Sequence, residues 1–213
     1  MIDKNFWKNK KVLITGHTGF KGFWMFLLLK KLGSNVYGVS IEKNSSEIYK
    51  TFSQYEKIEN EEFIDIRDVD KLTSFIQELK PDIIFHLAAQ SLVLFGHKHK
   101  EETYKTNIIG SANVIEACRN LKKKTSLLIT TTDKVYKNYN KKKLFKENDR
   151  IGGNDPYSVS KAALEILCDY YLDISRKEKF FSLSVASFSS SLRQRFFPFY
   201  RLRSPFSLQV RSI

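Results

Sequence analysis

The sequence predicts an α/β fold: a doubly wound parallel sheet with helices on both faces. Two observations carry this prediction. Short apolar runs alternate with longer segments whose apolar residues recur at helical spacing, which is the pattern of parallel strands joined by crossover helices. In addition, small and polar residues follow several of the apolar runs, at the carboxyl ends of the expected strands, where such sheets bind ligands.

The first predicted elements are a strand, a turn and a helix. Residues 12–14 form an apolar run typical of a buried strand. The apolar segment over 23–32 predicts a helix with lysines near its end, and Gly33 is its expected C-cap. A second strand is predicted over 35–39, and the polar loop after it contains a short predicted helix at 47–52.

The later elements continue the alternation. Residues 63–66 predict a third strand, and 68–79 predict a helix because their apolar positions recur at helical spacing until Pro81. The continuous apolar run 82–87 is typical of a strand buried on both faces. The remaining predicted elements are a long helix over 101–120, a fifth strand over 126–131, a helix that carries Tyr157 and Lys161 and ends near Arg176, and a sixth strand over 181–186.

A glycine-rich turn, Thr15 to Gly22, follows the first strand. Glycines at 16, 19 and 22 let the chain turn tightly and approach a pyrophosphate, and the next helix then offers its N-terminal amides to the phosphates. A turn without a ligand is the alternative, but the complete strand–turn–helix–strand unit favours a dinucleotide site. Within the turn, we expect Thr18, Phe20 and Lys21 to contribute mainly backbone amides.

Tyr157 and Lys161 lie four residues apart, which places them one turn apart on one helix face. We expect the ammonium to lower the pKa of the phenol, which makes the tyrosine a general base for an alcohol that loses hydride. Such a pair is more often a solvated helix face, so this interpretation depends on the dinucleotide turn. Thr132-Asp133-Lys134, at the end of the fifth strand, should face the same site.

The net charge of +13 does not by itself indicate a nucleic-acid partner. Lysines are spread along the chain, with clusters at 122–124 and 137–146, and no recognition motif accompanies them. General surface charge explains them best, although a positive field would also favour an anionic substrate. We therefore predict no nucleic-acid partner.

Other residue classes exclude further functions. The four histidines are scattered and have no metal-ligand spacing, so no metal site is predicted. No run approaches a membrane span, and the amino terminus does not have the pattern of a signal peptide. Cys118 and Cys168 fall within predicted helices and are expected to be buried thiols, which fits a reducing, cytoplasmic location.

Taken together, the motifs resemble the extended short-chain dehydrogenase/reductases. The turn at 15–22, His86-Leu87-Ala88-Ala89-Gln90 and Tyr157-x-x-x-Lys161 carry this resemblance. Within that superfamily, the segments at 15–22, 132–136 and 152–161 resemble the CDP-glucose 4,6-dehydratase family. Lys134 distinguishes this family from the related dTDP-glucose dehydratases, which have an acidic residue at the matching place.

The resemblance implies a Rossmann-type domain, tightly held NAD and a nucleotide-sugar substrate, CDP-glucose. It implies that Tyr157, assisted by Lys161, deprotonates the sugar 4-hydroxyl, which Thr132 contacts. Asp133 would protonate the departing 6-hydroxyl, while Lys134 would assist at C5 or orient the acid. The implied cofactor contacts are Gly16, Thr18, Gly19, Phe20, Lys21, Gly22, Asp65, Ile66, Ala88, Ala89 and Lys161.

Some implications leave alternatives open. Asp65 would accept from the adenine amino group, but it could equally be a turn or helix-capping carboxylate. Residues 40–43, Ser-Ile-Glu-Lys, do not decide between NAD and NADP, and NAD is taken from the resemblance. A 4-epimerase or a non-catalytic NAD-binding fragment would share much of the pattern, although the Asp133-Lys134 pair speaks against an epimerase. Family members also commonly form homodimers through the Tyr157 helix and the helix before strand five.

At residue 188 the composition changes. Residues 1–187 contain 27 Lys and 4 Arg, whereas residues 188–213 contain 5 Arg and no Lys, Gly, Asp or Glu. We predict that residues 1–187 form the NAD-binding domain and that 188–213 form a basic tail that is not a folded domain. A shifted reading frame would produce this switch of basic residue type, and a genuine short variant is the alternative.

The resembling families continue well beyond the sixth strand with a domain that supplies most of the nucleotide-sugar pocket. We therefore expect this chain to lack most of that substrate domain and to expose apolar surface at the sixth strand. Low solubility and very weak turnover would follow.

Overall fold

The structure is a computed structural model that describes residues 3–41, 46–54, 59–139, 145–146 and 148–188. Its centre is a six-stranded sheet. The strands are β1 (Lys11–Thr15), β2 (Asn35–Ser40), β3 (Glu61–Phe63), β4 (Ile83–His86), β5 (Thr125–Thr132) and β6 (Phe181–Phe188).

Helices connect the strands. They are α1 (Lys4–Trp7), α2 (Phe20–Lys31), α3 (Glu47–Ser53), α4 (Val69–Leu79), α5 (Val93–Lys98), α6 (Lys100–Tyr104), α7 (Ser111–Arg119) and α8 (Pro156–Ser175). A π-helical segment, Lys105–Gly110, joins α6 to α7, and a 3₁₀ turn, Asp133–Val135, follows β5.

The six strands pair in parallel, in the order β3-β2-β1-β4-β5-β6. The chain first moves outward from β1 to β3 and then continues on the other side of β1, which is the doubly wound Rossmann arrangement. The predicted fold class is therefore confirmed. The direction reverses at β1, where Thr15 pairs with Val39 on one side and with His86 on the other. Ligands bind such sheets at this reversal point.

Successive residues of β1 face opposite layers of the molecule. Val12 and Ile14 pack with Phe26 of α2, whereas Leu13 lies in a larger cluster with residues of α4, α7 and α8. Both faces of the sheet thus carry helices, as predicted. Complete burial of an aliphatic or aromatic side chain contributes about 1.5–3 kcal/mol, so these two clusters fix the carboxyl ends of the strands firmly in place.

Two element boundaries differ from the sequence prediction. Helix α2, the first helix that the sequence predicts, begins at Phe20 rather than at residue 23, because Gly19 is its N-cap. The third strand is Glu61–Phe63 rather than 63–66, because only these residues align with the end of β2. Ile66, which suggested a strand, is instead buried in the core beyond the end of β3. Gly33 has a φ of 86°, as a helix-terminating glycine requires.

The remaining elements largely agree with expectation. The predicted long helix over 101–120 is continuous from Lys100 to Arg119, but its middle is π-helical. The fifth and sixth strands each extend beyond their predicted ends, to Thr132 and Phe188. The short helices α1 and α5 were missed, because four and six residues are too few for a periodic pattern.

Strand β6 forms one edge of the described sheet. Leu183 and Val185 lie in the core cluster on one face, whereas the alternating residues Ser182 and Ser184 are half-buried on the other. The expectation of exposed apolar surface on this strand is therefore wrong for residues 181–187, since the less covered positions carry hydroxyl groups. The predicted tail, 188–213, lies outside the described residues apart from the backbone of Phe188.

Cys118 and Cys168 are both buried free thiols, as predicted. Burial raises the pKa of the Cys118 thiol to about 12, which keeps it neutral and unreactive. Across the described ranges, every helix is too short or too polar to serve as a membrane span.

Candidate active site

The glycine-rich turn lies at the carboxyl end of β1, against the segment that follows β4. Gly16 has a φ of 77°, and a Cβ added to it would lie 2.7 Å from the backbone of Ala88. A Cβ on Gly22 would lie 2.1 Å from the carbonyl oxygen of Gly16. These close approaches require glycine at both positions, so that the turn and the first turn of α2 form one compact unit.

This unit has the chemistry that a pyrophosphate requires. The N-cap of α2 is Gly19, which has no side chain to cap the amides of the first helical turn. These amides and the positive end of the helix dipole lie at the reversal point of the sheet. Phe20 and Lys21 are exposed there, whereas Thr18 and Gly22 are buried. The arrangement therefore fits the phosphates of a dinucleotide.

Hydrogen bonds fasten the turn to the neighbouring strand and helix. The hydroxyl groups of Thr18 and Ser40 are 2.8 Å apart, which joins the turn to the end of β2. Ser46, the N-cap of α3, donates to the carbonyl oxygen of Thr18 at 2.5 Å. Glu42 and Lys43, which bear on the choice between NAD and NADP, lie outside the described residues.

Asp65 follows β3 and belongs to a tight turn. Its carboxylate accepts from the backbone and the guanidinium of Arg67, with a shortest distance of 2.6 Å. Burial opposes ionisation of Asp65, but the hydrogen bonds from Arg67 more than compensate and lower its pKa. The next helix is capped by Asp68, so Asp65 is a turn carboxylate rather than a helix cap. Ile66 beside it is buried.

The helix that carries Tyr157 begins with a strong start signal. Asp155 is the N-cap, its carboxylate accepts from the backbone of Ser158, and Ser158 reciprocates in a capping box. Pro156 occupies the first turn, where its fixed φ favours a helix. The start of α8 is thus fixed by local interactions, and Tyr157 and Lys161 lie one turn apart on it, as predicted.

The expected effect of Lys161 on Tyr157 is wrong in this structure. Burial raises the pKa of the phenol, a hydrogen bond with Thr132 opposes this, and the charges of Asp133 and Asp155 add to the rise. The Lys161 ammonium donates instead to the carbonyl oxygen of Thr130 at 3.2 Å. The four-residue spacing predicts that both side chains lie on one helix face, but it does not predict which groups they hydrogen-bond.

The end of β5 contributes the remaining predicted residues. Thr132 is buried and donates to the Asp133 carboxylate at 3.1 Å, and the phenol of Tyr157 lies near its hydroxyl. Asp133 begins the 3₁₀ turn and is half-buried. Lys134 is exposed, and its backbone amide donates to the Thr132 hydroxyl. The structure therefore brings Thr132, Asp133 and Tyr157 into one cluster, with Lys134 at its solvent side.

The segment after β4 is held beside this cluster. Ala88 and Ala89 are half-buried, and the amide of Ala88 donates to the Thr15 hydroxyl at 3.3 Å. The next residue, Gln90, exchanges two backbone hydrogen bonds with the side chain of Asn107, at 2.8 and 2.9 Å. Asn107 also donates to Ser160 of α8 at 2.9 Å.

Asn107 is a structurally important residue that sequence reasoning missed. It is fully buried within the π-helical segment, and π-helical turns are frequent at functional sites. Its side chain joins the segment after β4 to the helix of Tyr157, so it positions two predicted parts of the site. The sequence gives little signal, because Asn107 follows Lys105 and Thr106, which are also polar.

Comparisons with known proteins identify the family and the fold. A family model described as GDP-mannose 4,6 dehydratase matches residues 13–196. The CDP-glucose 4,6-dehydratase of Salmonella typhimurium is 37% identical over 171 residues, which are 80% of this chain and 48% of the relative. A GDP-mannose 4,6-dehydratase of Vibrio cholerae is 28% identical over 179 residues, which are 80% of this chain and 46% of the relative. The chain thus spans about half the length of these relatives.

Solved structures share the fold. An epimerase from Methanothermobacter thermautotrophicus has a TM-score of 0.71 at 24% identity, over 87% of this chain and 52% of its own. The UDP-glucose 4-epimerase of Thermus thermophilus, solved in complex with NAD, has a TM-score of 0.70 at 23% identity, over 84% of this chain and 54% of its own. With the family match over most of its length, the chain belongs to the GDP-mannose 4,6-dehydratase family, a family of nucleotide-sugar dehydratases.

Proposed function

We propose that this chain supplies the NAD-binding and catalytic half of a CDP-glucose 4,6-dehydratase, which converts CDP-glucose into CDP-4-keto-6-deoxyglucose and water. The observation that carries the proposal is the cluster of Thr132, Asp133 and Tyr157 at the same edge of the parallel sheet as the glycine-rich turn. The 37% identity to the CDP-glucose 4,6-dehydratase of Salmonella typhimurium supports the choice of CDP-glucose. Structural relatives that bind NAD support the cofactor.

The residues present fit NAD. Gly16, Gly19 and Gly22 would admit its pyrophosphate to the amides of α2, and Asp65, Ile66, Ala88 and Ala89 would lie along its adenosine half. Lys161 would reach the nicotinamide ribose. When bound, the nicotinamide accepts hydride from C4 of the sugar and later returns it to C6. Asp65 would have to exchange its Arg67 partner for the adenine amino group.

In the first stage, Tyr157 would take the proton of the sugar 4-hydroxyl as C4 loses hydride. The Thr132 hydroxyl, which already contacts Tyr157, would hold that 4-hydroxyl in line. Because burial and two carboxylates raise the pKa of the phenol, its deprotonation needs a positive charge nearby. Lys161 is the buried cation on the same helix face that can provide it.

In the second stage, the new 4-ketone makes the proton at C5 acidic. A base at C5, the role in which Lys134 would assist, would take that proton, and the 6-hydroxyl, protonated by Asp133, would leave as water. The same base would return a proton to C5 when hydride returns to C6. The half-buried position of Asp133, next to Thr132, is consistent with this role. Lys134 is exposed and would assist at C5 or orient Asp133.

Incubation with CDP-glucose and NAD, followed by mass spectrometry of the sugar nucleotide, tests the proposal. A product lighter by one water supports the dehydratase, whereas an isomer of unchanged mass would support a 4-epimerase. Unchanged CDP-glucose, together with calorimetric binding of NAD, would indicate a non-catalytic NAD-binding fragment. Tyr157→Phe is the matched control, since it should keep NAD binding and lose any product formation.

We also propose a homodimer through α8 and the helix before β5. Val159, Ile166 and Tyr170 lie on one face of α8 and are 41%, 63% and 63% exposed. This α8 stripe (Val159, Ile166, Tyr170) is the apolar surface available for a partner copy. Ala162 and Leu164 on the same helix belong to the core instead.

For the domain organisation, we propose an NAD-binding domain over 1–187 and a separate basic tail over 188–213. The switch from lysine to arginine supports this boundary, although the family match extends to residue 196. Two measurements test the idea of a shifted reading frame: the sequence of the parent gene and the mass of the purified chain by mass spectrometry. An uninterrupted frame that encodes these residues, with a homogeneous product, would exclude it.

A further inference from the structure

Glu165 is a buried acid that the proposed mechanism does not use. It lies on α8 at 1% exposure, one turn beyond Lys161 and two turns beyond Tyr157. Its carboxylate accepts from the Thr131 hydroxyl at 2.5 Å and from the Ser187 hydroxyl at 3.2 Å. The ends of β5 and β6 therefore both hold this carboxylate in the protein interior.

Lys161 and Glu165 bind successive residues of the same strand. The Lys161 ammonium donates to the carbonyl oxygen of Thr130, and the Glu165 carboxylate accepts from the neighbouring Thr131. Lys161 is itself only 4% exposed. Two opposite charges thus occupy adjacent turns of one helix face, in surroundings where an uncompensated charge is costly.

Among the described residues, four groups act electrostatically on Lys161: His86 of β4, Lys21 of α2, and Glu165 and Cys168 of α8. Burial lowers the pKa of Lys161, Cys168 and Glu165 oppose this and Lys21 adds to it, and together these effects place the pKa at about 8. Burial keeps Cys168 a neutral thiol and His86 a neutral imidazole, with a pKa of about 3. Glu165 is therefore the one of the four that can supply negative charge near neutral pH.

We propose that Glu165 is a positioning residue that acts through Lys161: from the next turn of α8, its carboxylate keeps the buried lysine charged where it binds the end of β5. The catalytic use of that charge rests on the proposed dehydratase function, but the electrostatic coupling itself does not. Glu165 would touch neither the sugar nor the dinucleotide. It would determine how much of Lys161 is present as ammonium at the working pH.

The test is an NMR titration of the full chain labelled with ¹³C at the lysine ε-carbons. Lys161→Arg assigns the Lys161 signal by its disappearance. In Glu165→Gln, which keeps the size and an oxygen acceptor for Thr131, we expect the Lys161 titration midpoint to fall by about one pH unit or more. Asp173→Asn is the matched control, because it removes an exposed acid from the same helix and should leave the midpoint unchanged.

An unchanged Lys161 midpoint in a folded Glu165→Gln chain would overturn the proposal. If that variant does not fold, the wild-type chain labelled at its glutamate carboxyl carbons provides the answer. Glu165 must then be ionised at pH 7, and a protonated carboxyl overturns the proposal. Neither measurement requires sugar, NAD or turnover, so absence of dehydratase activity would count against the proposed function and leave this inference intact.

Discussion

His86 and Thr15 form a buried hydrogen bond of 2.7 Å that joins β4 to β1 at the first residue of the glycine-rich turn. The other ring nitrogen of His86 lies 2.8 Å from the Ser111 hydroxyl, which donates to the carbonyl oxygen of Asn107. Because Ser111 has already used its only proton, His86 must donate to it through Nε2. Its Nδ1 therefore accepts from Thr15, whose oxygen accepts from the amide of Ala88. One neutral imidazole thus links the turn, the segment after β4 and the π-helical segment.

His86→Ala should destabilise the chain by about 3 kcal/mol, because it leaves a cavity and two buried hydroxyl groups without their partner. Urea unfolding at pH 7 measures this, and the exposed His97→Ala serves as the control that should change stability by less than about 0.5 kcal/mol. Equal stabilities of the two variants would contradict the linking role of His86.

The pH dependence of stability should also reflect His86. Burial lowers its pKa to about 3, from an ordinary value of 6.5. Below pH 6.5 the unfolded chain takes up a proton that the folded chain cannot, so stability should fall as the pH falls from 6.5 towards 3. His86→Ala should lack this contribution. If both chains lose stability in parallel through that range, His86 does not carry the effect.

Gly22→Ala should weaken NAD binding at least about tenfold, or about 1.4 kcal/mol, because its Cβ would lie 2.1 Å from the Gly16 carbonyl oxygen. Gly33→Ala is the matched control: its positive φ costs about 1 kcal/mol of stability, but its nearest neighbours are 3.8 Å away and distant from the turn. Calorimetry with NAD should give the control the wild-type affinity. Wild-type affinity in Gly22→Ala would show that the turn does not hold the dinucleotide.

Lys161→Met should change the pH dependence of stability, because the folded chain then no longer buries an ammonium, while the buried Glu165 carboxylate loses an opposite charge. The pKa of Lys161 is lowered from 10.5 to about 8, so the cost of burying its charge is fully present below pH 8 and fades as the pH rises towards 10.5. Urea unfolding should therefore show that the wild-type chain gains up to about 3 kcal/mol of stability relative to Lys161→Met between pH 7 and pH 10. Lys122→Met, at an exposed position, should show no such trend, and an equal stability difference at the two pH values would refute the argument.

Ile166→Arg should convert the proposed homodimer into a monomer, since it introduces a charge at the centre of the α8 stripe. Light scattering after gel filtration measures the mass of each species. Val69→Arg, at a 48% exposed position on α4, is the control that should keep the dimer. If the wild-type chain is monomeric at high concentration, the proposed homodimer interface is wrong.

The sequence was sufficient for the sheet and its glycine-rich turn, because buried parallel strands and glycine spacing leave patterns within a few residues. The third strand was misjudged for a physical reason. Ile66 is as apolar as a strand residue, but it enters the core after the chain has already left β2. An apolar residue indicates burial, but a strand residue must in addition pair in register with a neighbouring strand.

Residue types and spacing predicted which residues belong to the candidate site, but they did not predict the contacts that those residues make. Tyr157 and Lys161 lie on one helix face as expected, yet Lys161 binds Thr130 on a strand 31 residues earlier. Asn107 and Glu165 were missed for the same reason, because their partners are distant in the chain. A local sequence pattern cannot predict which buried polar groups will hydrogen-bond to each other when they are distant in the chain.

The π-helical segment makes the site sensitive to chain length. Lys105–Gly110 accommodates a wider turn than an α-helix does, so loss of one residue there would let the helix close into regular α geometry. The two helical parts would keep nearly the same relative orientation, because the wider turn holds one extra residue and the deletion removes it. The side chains within 105–110 would instead change their positions around the helix axis, so Asn107 would lose its simultaneous contacts with Gln90 and Ser160. A deletion that improves the regularity of this helix would therefore detach the segment after β4 from α8.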